Sequence, residues 1–415
     1  MSGFKKSIQF QPRVNKAENI EPAHRVWFGF AVRRLWSRAF KSNAESNAEG
    51  HAGKEPLVMD NADHMEGFRA RGEYILTGHV RFHHGQLRFE TEKAVWQRDL
   101  NRVFCETGMR ITHRGSRLTA DRGSYDKRGN QALAEGHVFM RDSSGEVEAQ
   151  GERLTYDRVG REAVLSGNPL ARRIYPEKKK GPDTLTIRGK TLRYCDSVGI
   201  AEAEDNVLIT RNNLRITCGH AQYRQKQDSL FLSREPVVKV EDSEIKGALM
   251  RLGLRGEELK GLRVNGSAEA VSLEKATDST RAHKSHVEGD SLFLAFKKSA
   301  VDCVQVFRHA TGTYFDVDRS QYVNRMSGDY MVMRFQERRV HDAEVLGMAK
   351  STYYHFEKDT LKGKNRAEGD VIALTFKAGK IDAVLVKGSA KGVYEGRGLG
   401  HGKKSGVQNS GKVKS

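Results

Sequence analysis

The stretch "GERLTYDRVGREAVLSG", residues 151–167, alternates apolar and polar side chains and carries no recognisable catalytic group. Leu154 and Tyr156 have polar neighbours, residues 158–161 interrupt the pattern, and the alternation resumes before Gly167. Because side chains of a β-strand point alternately to its two faces, this period of two is typical of a half-buried strand. The stretch therefore predicts two short strands joined by a turn.

The same pattern recurs on both sides of this stretch. Gly78, Gly108, Gly136 and Gly167 stand 30, 28 and 31 residues apart. Between them recurs an apolar-x-apolar pair, followed by an aromatic residue seven or nine positions after the first member of the pair. The pairs are Leu87/Phe89, Leu118/Ala120, Val147/Ala149, Leu185/Ile187 and Leu214/Ile216, and the aromatic residues are Trp96, Tyr125, Tyr156, Tyr194 and Tyr223. An offset of nine residues in four of the five copies indicates a repeated supersecondary unit.

A second repeat occupies the C-terminal half. Gly289, Gly328 and Gly369, each followed by aspartate, lie 39 and 41 residues apart, and a degenerate copy begins at Gly247. Counted from the glycine, phenylalanine stands at +7, valine at +17, alanine at +21 and tyrosine at +25. These residues are Phe296, Phe335 and Phe376; Val306, Val345 and Val386; Ala310, Ala349 and Ala390; and Tyr314, Tyr353 and Tyr394. Alternation within each copy again favours paired strands.

Composition agrees with an architecture of shallow burial. The 415 residues are 37% hydrophobic and 30% charged, with a mean hydropathy of -0.65. Such a chain is poorly suited to a deep globular core, whereas stacked thin units need fewer buried residues. The 41 glycines and 7 prolines favour frequent turns between strands. We predict an all-β fold, an elongated twisted β-jellyroll or solenoid of stacked short antiparallel strands.

The two repeat series divide the predicted chain into four parts. Residues 1–56 form a basic leader, residues 57–245 a first β-module, residues 246–395 a second β-module, and residues 396–415 a disordered glycine- and lysine-rich tail. Within the leader, residues 24–40 have the composition of an amphipathic helix with arginines for a membrane surface. The short apolar run in that segment makes a poor secretory signal, because Arg33 and Arg34 stand where a cleavage site needs small residues.

The net charge of +18 suits partners that carry phosphate. Nucleic acid, anionic lipid and the head group of a glycolipid all meet this condition, so charge alone does not choose among them. Arginine-rich strands with interleaved tyrosines keep a nucleic-acid-binding or protein-binding scaffold open as the alternative function. The aromatic residues, however, occupy one position in each repeat, as packing residues do, which makes nucleic acid the less favoured partner.

Several motifs resemble the OstA-like family, the periplasmic β-jellyroll domains of lipopolysaccharide export that include LptA, LptC and the N-terminal part of LptD. The resemblance covers roughly residues 70–395 and includes "AEGHVFM" and "AEDNVLI", "LTADRGSYD" and "GERLTYD", "GNP" at residues 167–169, and the C-terminal "EGDVIALTFKAGKIDAVLVKGSAKGVYEG". It implies a non-enzymatic protein, periplasmic or associated with the outer membrane, that binds lipopolysaccharide or a related lipid and passes it toward the outer membrane.

The same resemblance implies a lipid groove formed by the inward faces of the strands. The candidate groove residues are Leu118, Ala120, Leu154, Tyr156, Leu185, Ile187, Leu214, Ile216, Phe296, Phe335 and Phe376. It further implies other bridge or outer-membrane export components as partners, and open strand edges add head-to-tail self-association. No cofactor is expected.

Spacings typical of enzymes and metal sites are weak in this sequence. Gly189-Lys190-Thr191 ends like a P-loop but lacks the earlier glycine and falls in a strand pattern. The histidines His79, His83, His84 and His113 are predicted to lie on a solvated face rather than at a metal. The Gly-Asp aspartates Asp290, Asp329 and Asp370 are predicted to serve in turns. The four cysteines, Cys105, Cys195, Cys218 and Cys303, show no zinc spacing and are interpreted as small buried residues, with a Cys195–Cys218 disulfide left open.

Overall fold

A computed structural model describes residues 56–175, 183–255, 258–276, 281–297, 300–336, 339–357, 359–377, 380–396 and 413–414. The predicted leader with its helix at 24–40, and nearly all of the predicted tail, lie outside these residues. The described part of the chain consists of β-strands joined by turns and short 3-10 segments. None of its helical segments has the length and apolar character needed to cross a membrane.

The first strands, up to residue 255, are mostly short. They are β1 Val58–Asn61, β2 His64–Phe68, β3 Glu73–His84, β4 Leu87–Gln97, β5 Arg102–Thr107, β6 Met109–His113, β7 Ser116–Ala120, β8 Arg122–Asp126, β9 Gln131–Arg141, β10 Val147–Asp157, β11 Glu162–Ser166, β12 Leu170–Tyr175, β13 Asp183–Arg188, β14 Thr191–Cys195, β15 Ile200–Arg211, β16 Leu214–Arg224, β17 Ser229–Ser233, β18 Val237–Val240, β19 Ser243–Lys246 and β20 Leu249–Arg255.

The strands that follow are longer until the last few. They are β21 Glu258–Glu274, β22 His283–Lys297, β23 Ala300–Asp316, β24 Asn324–Gln336, β25 Arg339–Glu357, β26 Thr360–Lys377, β27 Lys380–Lys387, β28 Lys391–Gly396 and β29 Val413–Lys414. All pairings are antiparallel and join strands that are close in sequence. Alternation of apolar and polar residues thus produced the strands that it predicted.

The long strands of the ladder shift register or change partner near their middle. The first half of β9 pairs with β8 and its second half with β7, so that β7 and β8 together make one bent segment. We call the bend the corner. We call layer 1 the half of the ladder that contains β2, β5, β8, β11, β14, β17, β20 and β27, and layer 2 the half that contains β1, β6, β7, β12, β13, β18, β19 and β28.

The corners depend on residues with positive φ and on local shifts of register. Gly78 and Gly136 have φ of 77° and 75°, and the histidine after each of them is also left-handed. The ladder between β9 and β10 shifts register between Gly151 and Arg153. Because only glycine takes this conformation without steric cost, the regular glycine spacing records the regular corners.

The two layers face each other and share one core. A side chain at Gly123 in layer 1 would overlap the Met109 side chain from layer 2, and Gly312 in layer 2 lies against the Met331 sulfur from layer 1. Buried aliphatic residues continue from Leu76 to Leu374 in a single cluster. The fold is therefore the predicted all-β jellyroll; it has two layers and grows in one direction as segments are added in chain order.

The aspartates of the second repeat lie at corners, not in turns. Asp290, Asp329 and Asp370 fall within the continuous strands β22, β24 and β26. The Asp290 carboxylate accepts a hydrogen bond from His309 Nδ1 at 2.9 Å. The carboxylates of Asp329 and Asp370 lie where a Cβ of Gly347 or Gly388 would stand. The predicted turn role is wrong, because the chain passes from one layer to the other at these positions without reversing direction.

The two repeat series correspond to two ways of turning the corner. In the N-terminal region, residues 57–255, most segments break at the corner into separate short strands, whereas in the C-terminal region, residues 258–396, strands such as β25 run through it. The predicted boundary at 245/246 falls within β19, and β19 pairs with both β18 and β21. The ladder is thus continuous across it, and the division into two modules stays a prediction.

Candidate functional site

The predicted groove residues all lie on the inward side of the layers. Six of them are buried, namely Leu118, Ala120, Leu154, Leu185, Ile187 and Ile216, and the remaining five pack against the buried cluster while staying partly exposed, namely Tyr156, Leu214, Phe296, Phe335 and Phe376. They come from both layers, so the structure brings them to a common interior. Their contact with lipid stays a prediction.

The two marks of the first repeat fall on opposite layers. The apolar-x-apolar pairs lie in layer 2, and the aromatic residues that follow lie in layer 1, near the end of the segment that is far from the corner. We call this far end the rim. In the second repeat the phenylalanines lie at the rim of layer 1 and the tyrosines at the rim of layer 2. The fixed sequence offsets therefore correspond to repeat residues that lie at the rims of the two layers.

Polar contacts join the rims in the N-terminal region. His84 Nδ1 in layer 2 lies 2.9 Å from the Tyr125 hydroxyl in layer 1, and Arg158 Nη1 donates to the same hydroxyl at 2.8 Å. The hydroxyl of Tyr223 donates to Asp228 at 2.8 Å, which fixes the ring at the rim. Tyr125, Tyr194 and Tyr223 are buried. Burial raises the pKa of Tyr125, so this hydroxyl keeps its proton near neutral pH.

The rims of the C-terminal region are less enclosed. Phe296, Phe335 and Phe376 are partly exposed, whereas three of the four tyrosines at the same layer 1 position are buried. Phenylalanine has no hydroxyl and cannot make the polar contact that fixes Tyr223. In layer 2, Tyr394 is 56% exposed. Aromatic ring surface thus remains in contact with solvent at these rims.

A buried charged group interrupts the apolar interior at the layer 2 rim. Arg211 donates to the Asp183 carboxylate through Nε at 2.8 Å and also through Nη2, and both side chains are 5% exposed. The guanidinium groups of Arg211 and Arg173 lie 4.2 and 4.5 Å from the centre of the Tyr175 ring. Sequence reasoning missed this group, because arginine at an inward strand position looks like an ordinary exposed arginine.

The four histidines do not share one environment. His84 and His113 are buried, so the predicted solvated face is wrong for them. Both stand on the inward side at the end of a strand, where alternation places them. His79 is exposed beside Asp63, and His83 is half-buried beside Asp60. Within the described residues, no group of three or more potential ligands is arranged to hold a metal ion.

The cysteines and the P-loop-like stretch have structural positions. All four cysteines are free, so the Cys195–Cys218 disulfide is absent. Cys105 and Cys218 are buried, and burial raises their pKa values to about 12 and about 11. Cys195 and Cys303 are only partly buried, which departs from the predicted burial. Gly189 and Lys190 form the corner between β13 and β14, which leads to a strand and not to a helix.

A cavity of about 590 Å³ lies at the N-terminal end of the ladder. Its walls are Pro56, Leu57, Val58, Met59, Trp96, Arg98, Asp99, Asn101 and Arg128. The wall from layer 2 is apolar, and the wall from the layer 1 turns is charged. The sequence identified Trp96 as a repeat mark but gave no sign that Arg98 and Arg128 share a cavity with it.

Comparison with known families identifies the N-terminal part of this ladder. Residues 61–195 match the family "LptA/(LptD N-terminal domain) LPS transport protein". The match covers about a third of the chain. Domains of this family are periplasmic, non-enzymatic transport domains, so the similarity of residues 61–195 points to a role in lipopolysaccharide transport.

Among solved structures, the chain is similar to LptH, the LptA-homologous periplasmic component of the lipopolysaccharide transport device from Pseudomonas aeruginosa. The two are 20% identical over 29% of this chain and 82% of LptH, with a TM-score of 0.25. No curated protein shows significant similarity to the chain.

Proposed function

We propose that the protein binds the acyl chains of lipopolysaccharide or a related lipid between its two layers and carries them toward the outer membrane without covalent chemistry. The match of residues 61–195 to a transport family supports the pathway. The apolar interior supports the mode of binding, because it continues along the direction in which the ladder grows. Burial of apolar surface contributes about 25 cal/mol per Å² and needs no specific chemical group.

The partly exposed aromatic rims of the C-terminal region are the observation that carries this proposal. Phe335 and Phe376 already pack against the core and still present ring surface to solvent. Acyl chains laid along these rims would cover that surface, so binding there needs little rearrangement. In the N-terminal region the space is filled by side chains, and lipid would enter only if the contacts of Tyr125 with His84 and Arg158 opened.

A photocrosslinking amino acid at Phe335 tests this proposal in cells that make lipopolysaccharide. We expect a lipopolysaccharide adduct at Phe335, a weaker one at Leu185 in the closed region, and none at Gln336, which neighbours Phe335 on the outward side. Equal labelling at Phe335 and Gln336, or no lipid at either position, would contradict an internal lipid site.

Nucleic-acid binding is less well supported by the outward faces. Arg122 and Arg153 both form ion pairs with Glu135, and Arg141 and Arg172 both form ion pairs with Glu148. Arginines that share carboxylates on the sheet surface offer less charge to a phosphate backbone than the sequence total suggests. Recovery of RNA or DNA instead of lipid in the crosslinking experiment would reverse this preference.

We further propose that the ends of the ladder bind export partners or further copies of the chain. Met65 and Phe68 are exposed in β2 at one end, and Val393 and Tyr394 are exposed in β28 at the other. Strand edges with exposed apolar residues favour pairing with another chain. Val393→Pro should reduce self-association in light scattering while the circular dichroism spectrum stays β-rich. An unchanged mass distribution would count against β28 as the contact.

A further inference from the structure

The cavity at the N-terminal end of the ladder has an apolar wall with an unused hydrogen-bond donor. Leu57 is buried, and Met59 and Trp96 pack against the core cluster. The Trp96 ring is held edge-on against Phe82, with ring centres 5.8 Å apart. Its indole Nε1 is buried and has no hydrogen-bond partner. A buried donor without an acceptor is unfavourable, so an occupant with an oxygen acceptor would stabilise this wall.

The opposite wall carries two arginines that no described carboxylate neutralises. Arg98 and Arg128 are exposed and form no ion pair with a described residue. The nearby Arg102, in contrast, forms an ion pair with Asp126 at 2.6 Å. Asp99 also lines the cavity, and its carboxylate lies beside Gly72. The lining therefore has two positive charges against one negative charge, and guanidinium groups bind phosphate strongly.

We propose that this cavity binds a phosphate monoester of the transported glycolipid, with the first methylene groups of a neighbouring acyl chain against the apolar wall. Arg98 and Arg128 contact the phosphate, Trp96 Nε1 donates a hydrogen bond to an oxygen of the same lipid, and Leu57 and Met59 contact the neighbouring hydrocarbon. This inference rests on the proposed function, because it names the head-group chemistry of the same lipid. It makes the N-terminal end of the ladder a point that holds an amphiphile by its phosphate.

Tryptophan fluorescence of the full-length protein provides a direct test. The chain has three tryptophans, of which Trp96 is the one among the described residues and lines the cavity, so a Trp27→Phe/Trp36→Phe background isolates its signal. The probes are diphosphorylated lipid A, enzymatically dephosphorylated lipid A and inorganic phosphate. In this background we expect tighter binding of the diphosphorylated lipid than of the other two, and a change in Trp96 emission. Inorganic phosphate that binds as tightly as the lipid would overturn the glycolipid as occupant.

Paired arginine variants separate this site from general electrostatics. Arg98→Gln/Arg128→Gln should weaken the binding of diphosphorylated lipid A by about tenfold. The affinity for dephosphorylated lipid A should stay within about twofold of its original value. The control Arg88→Gln/Arg117→Gln removes the same charge at two exposed positions of layer 2 outside the cavity. It should change neither affinity by more than about twofold. An equal loss in both double variants would overturn the phosphate site.

The failure of this inference differs from a failure of the proposed function. If the Trp27→Phe/Trp36→Phe protein binds both forms of lipid A equally and the Arg98→Gln/Arg128→Gln variant loses neither, the phosphate site is wrong while lipid binding stands. If the protein binds neither form, and Phe335 gives no lipid adduct in cells, lipid binding itself is wrong.

Discussion

The N-terminal and C-terminal regions share one ladder but differ at their rims. In the first, tyrosines fill the layer 1 rim, and the hydroxyls of Tyr125 and Tyr223 are fixed by polar partners. In the second, Phe296, Phe335 and Phe376 occupy that rim without such a partner and stay partly exposed. Three of the four rim tyrosines in the N-terminal region are therefore buried, whereas all three rim phenylalanines of the C-terminal region are partly exposed.

The two regions also differ in buried charge. Removing the buried arginine of the N-terminal region should give the largest effect on the free energy of unfolding. Arg211→Met leaves the Asp183 carboxylate buried without its cation, and we expect a loss of about 3–5 kcal/mol in the free energy of unfolding. Arg334→Met, in the C-terminal region, removes an ion pair with Asp342 whose arginine is 52% exposed, and should cost about 0–1 kcal/mol. Urea denaturation of both variants measures the contrast.

The Arg211 prediction has an internal control. Arg211→Met/Asp183→Leu removes both charges and should recover much of the lost stability, because a buried pair is more costly to break than to replace. A double variant as unstable as Arg211→Met alone would show that the arginine acts through packing on Tyr175 and not through the carboxylate.

Changing a phenylalanine to alanine in each region compares the packing of the N-terminal interior with that of the C-terminal rim. Phe82, which is 1% exposed, should lose about 3–5 kcal/mol of stability when changed to alanine. Phe335→Ala should lose about 1–2 kcal/mol, because less ring surface leaves water on folding. Thermal and urea unfolding of the two variants measure this difference. Equal losses would mean that the C-terminal rim is as tightly packed as the N-terminal interior.

The corner glycines differ in what lies beside them, since the N-terminal Gly78 and Gly136 face an aspartate carboxylate as the C-terminal Gly347 does, but Gly108 does not. Gly108 has φ of 62°, and no atom lies within 4 Å of the place that a Cβ would take. Gly108→Ala should therefore lose only the about 1–2 kcal/mol of stability that a left-handed backbone costs a residue with a side chain. At Gly347 the Asp329 carboxylate occupies the place of a Cβ, so Gly347→Ala should cost more. Unfolding free energies of the two alanine variants measure the difference. A smaller loss at Gly347 would mean that Asp329 moves freely.

The smallest expected effect concerns the histidines at N-terminal corners. A hydrogen bond to Asp63 and the attraction of its charge raise the pKa of His79, and Asp121 does the same for His137. A raised pKa in the folded state means that the stabilisation is present below the ordinary histidine pKa and is lost as pH rises through the raised value. Because both histidines are exposed, the change in stability should be slight.

NMR titration of the imidazole signals measures this effect directly. Asp63→Asn should lower the pKa of His79 and leave that of His137 unchanged, since the two corners belong to different segments. A His79 pKa that does not respond to Asp63→Asn would show that the pair at 2.8 Å is not maintained in solution.

Much of the architecture could be predicted because it is local. Alternation around Leu154 and Tyr156 predicted strands, and the spacing of Gly78, Gly108, Gly136 and Gly167 marked corners where positive φ is required. The same alternation identified the inward face, so that every candidate groove residue lies in the core or against it. Alternation also placed His84 on the inward face, but His84 was predicted to be exposed because histidine is a polar residue.

The sequence by itself determined the strands, the corners and the similarity of residues 61–195 to a transport family, because backbone conformation and side-chain alternation are properties of neighbouring residues. Only the tertiary structure decided how far the layers approach each other, which rims close, and that Arg98 and Arg128 share a cavity with Trp96. Those features depend on contacts between segments whose distance across the interior is set by many side chains together. No local pattern specifies that distance.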